Sequence, residues 1–272
     1  MNEEKVISVS KDLVTRRSLA ADLRELGLRQ GMTVLVHSSL SSIGWVSGGP
    51  VAVIQGLMDA VGKDGTLVMP AHSGDYSDPA DWSNPPVPEE WHQEIRDTMP
   101  AYHPGYTPAR GIGTIPELFR SFPGTARSGH PQYSFSAWGK NKKMITEKHP
   151  YDYGLGENSP LGRLYDNDAM VLFLGTGYDS NTSFHLAEHL VPYRKETVTG
   201  APVFNNGERV WETFRNIEFN DDVFEIIGQE FEQNAEVRKG KAGGADCRLF
   251  RQKAAVDFAV EWLTDYCEKE RS

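Results

Sequence analysis

Cysteine is almost missing from this chain: Cys247 and Cys267 are the two in 272 residues, both late and in no C-x-x-C pairing. A disulfide framework and a thiolate zinc site are thereby excluded, and two ordinary, buried thiols are expected. Positive charge is scarce too. Lys and Arg number 28 against 38 Asp and Glu, a formal charge of −10, so a nucleic-acid backbone is repelled on average while a cationic small molecule is favoured. No run of ~18 apolar residues is present to span a bilayer. The opening MNEEKVISVSKD is acidic and lacks the apolar core of a secretory signal. A soluble, cytoplasmic protein with neither nucleic-acid nor membrane partners is expected. Two nucleotide signatures are also missing, since no G-K-[ST] follows a glycine loop and no G-x-G-x-x-G occurs. There is no internal repeat and no low-complexity tract.

What is present reads as one α/β domain over residues 1–272, a length at which such folds form a single unit with a large core. In TRRSLAADLRELGL, Thr15 is placed as an N-cap, Leu19, Leu23 and Leu26 share a helical face, and Gly27 is a stop. MTVLVH, GTLVMP and AMVLFLG are unbroken apolar runs of strand length, which implies strands covered on both faces. Between the first two, Val51, Ile54, Leu57, Met58 and Val61 repeat at helical spacing behind Pro50. Downstream, ETVTGAPVFNNGERVWETFRNIEF alternates about Asn206-Gly207, a hairpin signal that would add antiparallel strands and make the sheet mixed. Val256, Val260, Leu263 and Cys267 form the apolar stripe of a closing helix. The expected class is a three-layer α/β/α sandwich around a mixed sheet. A homodimer is compatible with the apolar edges of the hairpin and the last helix, which would serve equally well as core.

Three segments carry candidate chemistry. HSSLSSIGWVSGGP combines hydroxyl side chains, glycines and a helix-starting proline, the composition of an anion site at a helix N-terminus and also of a plain βα turn. His37, which opens it, reads as a site residue or as a buried histidine. A long Pro-rich acidic stretch, about 72–109, has the length of a lid or of a packed surface excursion. TSFHLAEHL holds His185, Glu188 and His189 in the order H-x-x-E-H. On a helix this places two imidazoles one turn apart for zinc with a carboxylate between them, the signature of a zinc hydrolase. It equally suits metal-free proton transfer, with Glu188 orienting His185. Glu261 and Glu268 lie downstream as conceivable third ligands for the zinc reading.

Three blocks in order, LVHSSLSSIGWVSGGPVAVIQGLMDAVGKDGTLVMPAHS, TPARGIGTIPELFRSFPGTARSGHPQYSFSAWG and SPLGRLYDNDAMVLFLGTGYDSNTSFHLAEHL, resemble the aminoglycoside 3-N-acetyltransferase family. The resemblance spans Leu35 to Leu190. It implies acetyl transfer from acetyl-CoA to a primary amine, a three-layer α/β/α fold and no metal. It also weighs against zinc, since the family pattern matches Thr182, His185, Ala187 and Glu188 and does not require His189. On this resemblance His185 is the general base, Glu188 its partner, and Thr182 a candidate to hold the thioester oxygen. Transfer is then direct, within a ternary complex, as neither cysteine falls in a motif suited to an acetyl-enzyme. CoA is implied along Ser38, Ser39, Leu40, Ser42 and Gly44, and the second block adds Arg127, Ser128, His130 and Ser134, with the Arg127 cation a natural partner for the CoA phosphates. For the acceptor, Asp75, Asp78 and Asp81 in the long stretch suit an amino sugar rich in ammonium groups, and equally a solvated acidic loop. A relative that binds CoA with weak or no action on aminoglycosides is the remaining alternative.

Overall fold

The computed structural model describes residues 3–10, 12–192 and 194–270. Its strands are β1 (Thr33–Ser38), β2 (Thr66–Pro70), β3 (Ala126–Arg127), β4 (Phe135–Gly139), β5 (Met170–Leu174), β6 (Glu196–Asn205), β7 (Glu208–Ile217), β8 (Arg238–Ala242) and β9 (Ala245–Arg251). The three apolar runs become the centre of a seven-stranded sheet ordered β3-β4-β2-β1-β5-β9-β8. β1 is parallel to both neighbours, with Leu35 opposite Val68 on β2 and opposite Val171 on β5. β4 is antiparallel to β2 and β9 antiparallel to β5.

The helices are α1 (Glu3–Val9), α2 (Arg16–Leu26), α3 (Leu40–Ile43), α4 (Gly49–Val61), α5 (His92–Thr98), α6 (Thr114–Arg120), α7 (Lys142–Thr146), α8 (Pro160–Asp166), α9 (Ser183–Leu190), α10 (Phe224–Asn234) and α11 (Gln252–Glu270). Thr15 caps α2 as its place implies: its hydroxyl accepts from the Ser18 amide, Ser18 Oγ accepts from the Thr15 amide, and Gly27 ends the helix at φ 125°. Alternation along the central strands sorts the core into two layers. Val34, Val36, Leu67, Met69, Leu172 and Leu174 pack under α2, α4 and α6, while Leu35, Val68, Val171 and Phe173 face α8, α9, α10 and α11. Each such side chain contributes about 1.5–3 kcal/mol by leaving water. The stripe of α11 belongs to this second layer, with Val256 and Leu263 buried against it, so it serves as core.

Two sequence expectations need correction. The Asn206-Gly207 hairpin forms, with both turn residues at positive φ and Asn205 opposite Glu208, yet β6 and β7 make a separate two-stranded sheet. The mixed character of the main sheet comes instead from β4 and β9. The stretch 72–109 is also more than a loop: it holds short 3-10 turns at Pro79–Asp81 and Glu89–Trp91 as well as α5. It is tied at its ends, where the Arg110 amide donates to His72 O and Ser73 Oγ donates to Pro108 O. Its middle leans on the detached hairpin through Tyr102 N to Pro202 O, 2.8 Å, and Arg209 Nε to Met99 O, 2.9 Å.

Candidate active site

Where β1, β2 and β5 end, the chain leaves the sheet in different directions, and a cavity of about 820 Å³ opens there. Crevices at the carboxyl ends of parallel strands are where α/β folds bind ligands. His37 and Ser38 come from the end of β1, Pro70 and His72 from β2, Thr176 and Thr182 from beyond β5, and Gly111–Thr114 from the exit of the long excursion. The serine-rich loop forms one wall. Ser39 N donates to Leu174 O, and Gly44, Gly48 and Gly49 all take positive φ, which lets the backbone turn closely into the N-terminus of α4. In that first turn Gly49 N donates to Val46 O and Pro50 has no N–H, so the turn offers few free amides, although it carries the positive end of a 13-residue helix dipole.

Ser38, Ser39, Leu40 and Gly44 line this cavity, whereas Ser42 does not. Its hydroxyl donates to Gly175 O at 3.0 Å and lies 2.9 Å from Ser39 Oγ, and Ser42 lines a second cavity bounded by α2 and the β8–β9 turn. Ser42 therefore shapes the loop. His37 is buried and pushed down to about 3 by that burial, with Nε2 3.5 Å from Thr182 Oγ1.

Thr182 precedes α9, and His185 follows it by one turn. His185 Nδ1 lies 2.7 Å from Glu188 Oε2, and the other carboxylate oxygen accepts from the Asn220 amide at 2.6 Å. Glu188 is 6 % exposed, so its charge is held by these two donors away from water. Phe219 and Phe224 fix the imidazole plane at ring distances of 4.5 and 4.9 Å. With Nδ1–H donating to the carboxylate, Nε2 carries the lone pair, and it makes no hydrogen bond among the described residues. This is the geometry of a general base with its orienting acid. Asn220 had no signal in the sequence, because a backbone amide acts regardless of residue type.

His189 does not join them. It is 4 % exposed, edge-on to Tyr153 and Phe219, and neither ring nitrogen has a partner among the described residues. Burial, then Arg194 and His185, push it down to about 4. Among the described residues no group of three or more His, Cys, Asp or Glu side chains is placed to hold a metal ion. The zinc reading of H-x-x-E-H thus lacks a ligand set, and Glu188 is already committed to His185 and Asn220.

Of the second block, Gly111–Thr114 line the cavity, whereas Arg127, Ser128, His130 and Ser134 do not. Arg127 donates to Thr107 O, Ala71 O, Ser73 Oγ and Ser134 Oγ, with its guanidinium 5.2 Å over the Tyr102 ring. Its donors staple the excursion to the end of β2, so in this structure they are engaged within the protein. Ser128 accepts from the Phe135 amide and donates to His149 Nδ1, whose Nε2–H donates to Gly154 O. His130 Nδ1 accepts from the Gln132 and Tyr133 amides, which puts its proton on Nε2 toward Tyr151 O. Ser134 Oγ donates to Ala71 O. Arg127, Ser128, His130 and Ser134, expected to contact the cofactor, form internal hydrogen bonds here.

The acidic residues of the excursion are partly neutralised. Asp78 is 2.7 Å from Arg96, which with the Ala80 amide outweighs the cost of burial and holds its carboxyl below the usual range. Asp75 accepts from Arg110 at 3.2 Å. Asp81 makes no ion pair among the described residues, and burial followed by Asp78 pushes its carboxyl up. His72, which sequence reasoning passed over, was marked by one usable signal: it stands two residues past a parallel strand, where α/β enzymes place functional side chains.

Fold and site together give an α/β protein with a hydrogen-bonded His185–Glu188 pair and a crevice at the carboxyl ends of its parallel strands. Its family is that of the aminoglycoside 3-N-acetyltransferases, acyltransferases whose family model matches residues 35–264, and the chain belongs to it. The SPbeta prophage-derived aminoglycoside N(3')-acetyltransferase-like protein YokD of Bacillus subtilis (strain 168) is 55% identical over 92% of both chains. Its crystal structure matches with a TM-score of 0.97 at 52% identity, covering 98% of this chain and 99% of that one. Aminoglycoside N(3)-acetyltransferase VII of Streptomyces paromomycinus is 37% identical over 100% of this chain and 99% of its own. A structure of AAC-IIIb in binary complex with CoASH matches with a TM-score of 0.84 at 34% identity, covering 94% and 98%.

Proposed function

We propose that this protein transfers the acetyl group of acetyl-CoA to a primary amine of an aminoglycoside-like amino sugar, by direct attack within a ternary complex. The observation that carries the reading is the His185–Glu188 pair, 2.7 Å apart, with a free Nε2 one turn from a threonine that lines the strand-end cavity. An amine at neutral pH is mostly ammonium and cannot attack until a proton leaves. Nε2 of His185 takes that proton, and the buried carboxylate of Glu188 stabilises the imidazolium that results. The amine nitrogen then bonds to the thioester carbon, and collapse of the tetrahedral adduct releases CoA as thiolate, which takes the imidazolium proton; the nitrogen gives its second proton to the His185 so freed, which passes it to solvent and leaves a neutral amide.

Acetyl-CoA fits the wall made by Ser38, Ser39, Leu40 and Gly44, where Ser38 Oγ is buried without a partner and the Gly48 and Gly49 backbone turns toward the cavity. The CoA-bound AAC-IIIb relative supports this choice of cosubstrate. Thr182, which lines the same cavity, is the residue assigned to the thioester oxygen. For the acceptor, Asp81, which makes no ion pair among the described residues, and Asp75, whose Oδ1 is without a partner there, are the candidates to take ammonium groups, while Asp78 is held by Arg96. Titration calorimetry with acetyl-CoA, followed in the same sample by thiol release on adding aminoglycosides and simpler amines, tests the reading. Binding followed by amine-dependent thiol release is expected. Binding without release for any amine would leave a CoA-binding protein, and the absence of binding would sink the proposal.

A further inference from the structure

We propose that His72 is a second catalytic residue, its ring N–H donating to the thioester carbonyl oxygen as negative charge gathers there; this rests on the acetyl-transfer reading above. Among the described residues that line the cavity, two carry a buried polar side-chain atom with no hydrogen-bond partner, Ser38 Oγ and His72 Nε2. They come from the ends of adjacent parallel strands. Buried polar atoms in folded proteins are nearly always satisfied, so an unsatisfied one facing a cavity points to a partner that arrives with a ligand.

The ring is also immobilised in a way that hydrogen bonding does not explain. Tyr133 and Phe135 present edges to it at ring distances of 5.9 and 5.3 Å, nearly perpendicular. Its backbone is fixed by the Arg110 amide on His72 O, with Ala71 N and Ser73 N donating to Ser134 O and Gln132 O on either side. Preorganised donors in a water-poor site are what a developing oxyanion requires. Burial foremost, then His185, His37, His149 and Arg127, push His72 down to about 3. It therefore stays neutral while His185 takes the amine proton, which separates the two roles. In the step, the amine lone pair forms the C–N bond as the carbonyl electrons move to oxygen, which accepts the His72 N–H bond. The C=O re-forms as the C–S bond breaks, and CoA leaves as thiolate to be protonated from His185. His72 keeps its own proton throughout.

The test compares His72→Leu and His72→Gln by thermal melting, acetyl-CoA affinity, and separate kcat and KM for the amine. His72→Leu should lower kcat ~10²-fold with acetyl-CoA affinity within ~3-fold, and His72→Gln, which retains an N–H, should recover ~10-fold of the loss. Full kcat in His72→Leu, a loss confined to KM, or equal loss in both variants would overturn the assignment. Should the leucine variant fail to fold, His72→Asn and His72→Asp replace it, with the asparagine expected to be the faster; equal rates overturn the assignment. Wild-type protein that turns over no amine would refute the acetyl-transfer reading itself.

Discussion

His185 and Arg127 show how far residue type and neighbours in sequence can carry an assignment. The spacing of His185 and Glu188 was enough to place both on one helical face, and the pair is in contact. His185→Ala is expected to lower acetyl transfer by ~10²- to 10⁴-fold with little change in melting temperature, as for loss of a general base. A retained rate in a stopped-time thiol assay would remove His185 from the mechanism. Arg127 was read from the chemistry of guanidinium and phosphate, but two carbonyls and two hydroxyls already take its donors. Arg127→Met leaves Thr107 O without its donor, while Ala71 O keeps Ser134 Oγ and Ser73 Oγ keeps Pro108 O, so a loss of about 1–3 kcal/mol in urea denaturation is expected, the cost of one unsatisfied group. Acetyl-CoA affinity of the folded fraction should be unchanged; a selective loss of affinity with intact stability would restore the phosphate role. Sequence cannot make this distinction, because Thr107 and Ala71 meet Arg127 only after the excursion has folded back.

At the level of elements, apolar pattern was a good guide and exposed pattern a poor one. The three central strands, α2 with its capping box, and α4 follow directly from buried runs and helical spacing. β8 reads RKGKA, exposed along most of its length, and pairs with β9 through a turn at Gly243-Gly244. An edge strand with charged side chains has no hydrophobic alternation to betray it, although the paired glycines were a turn signal. The β6–β7 hairpin was legible as a hairpin, but whether it joins the main sheet depends on long-range packing and left no local trace. The serine-rich loop between β1 and α4 is the proposed seat of acetyl-CoA. Ser39→Tyr would place a ring against the cavity wall, and calorimetry should then show acetyl-CoA affinity falling ~10²-fold or more, the amine-independent fold being kept. Unchanged affinity would move the cosubstrate off this loop.

Across the whole molecule, histidine is put to an unusual use: half of the chain's eight imidazoles, those of His37, His130, His149 and His189, are buried in a polar-aromatic layer. His37, His149 and His189 are 6 %, 7 % and 4 % exposed, and burial pushes them down to about 3, 3 and 4. Composition gives the number of histidines but not their environment, so this layer was invisible in the sequence apart from His37. Its consequence is acid lability. In the unfolded chain each of these rings titrates near 6.5, and in the folded protein well below that. Between the two values the unfolded state binds more protons, so stability is complete above about pH 6.5 and declines as pH falls toward 4 and 3. Each ring contributes a slope of up to about 1.4 kcal/mol per pH unit within that window. Urea midpoints measured from pH 7.5 to 4.5 should therefore fall steadily below pH 6.5. His189→Leu removes one such ring at a place where both nitrogens lack partners among the described residues. It should leave stability at pH 7.5 equal or higher, since the desolvated polar ring gives way to an apolar side chain. The decline with acid should be shallower than in the wild type, and turnover, which uses His185, should be retained. A wild-type midpoint that is flat from pH 7.5 to 5 would mean that these rings are protonated within the fold, and the buried layer would have to be a charged one.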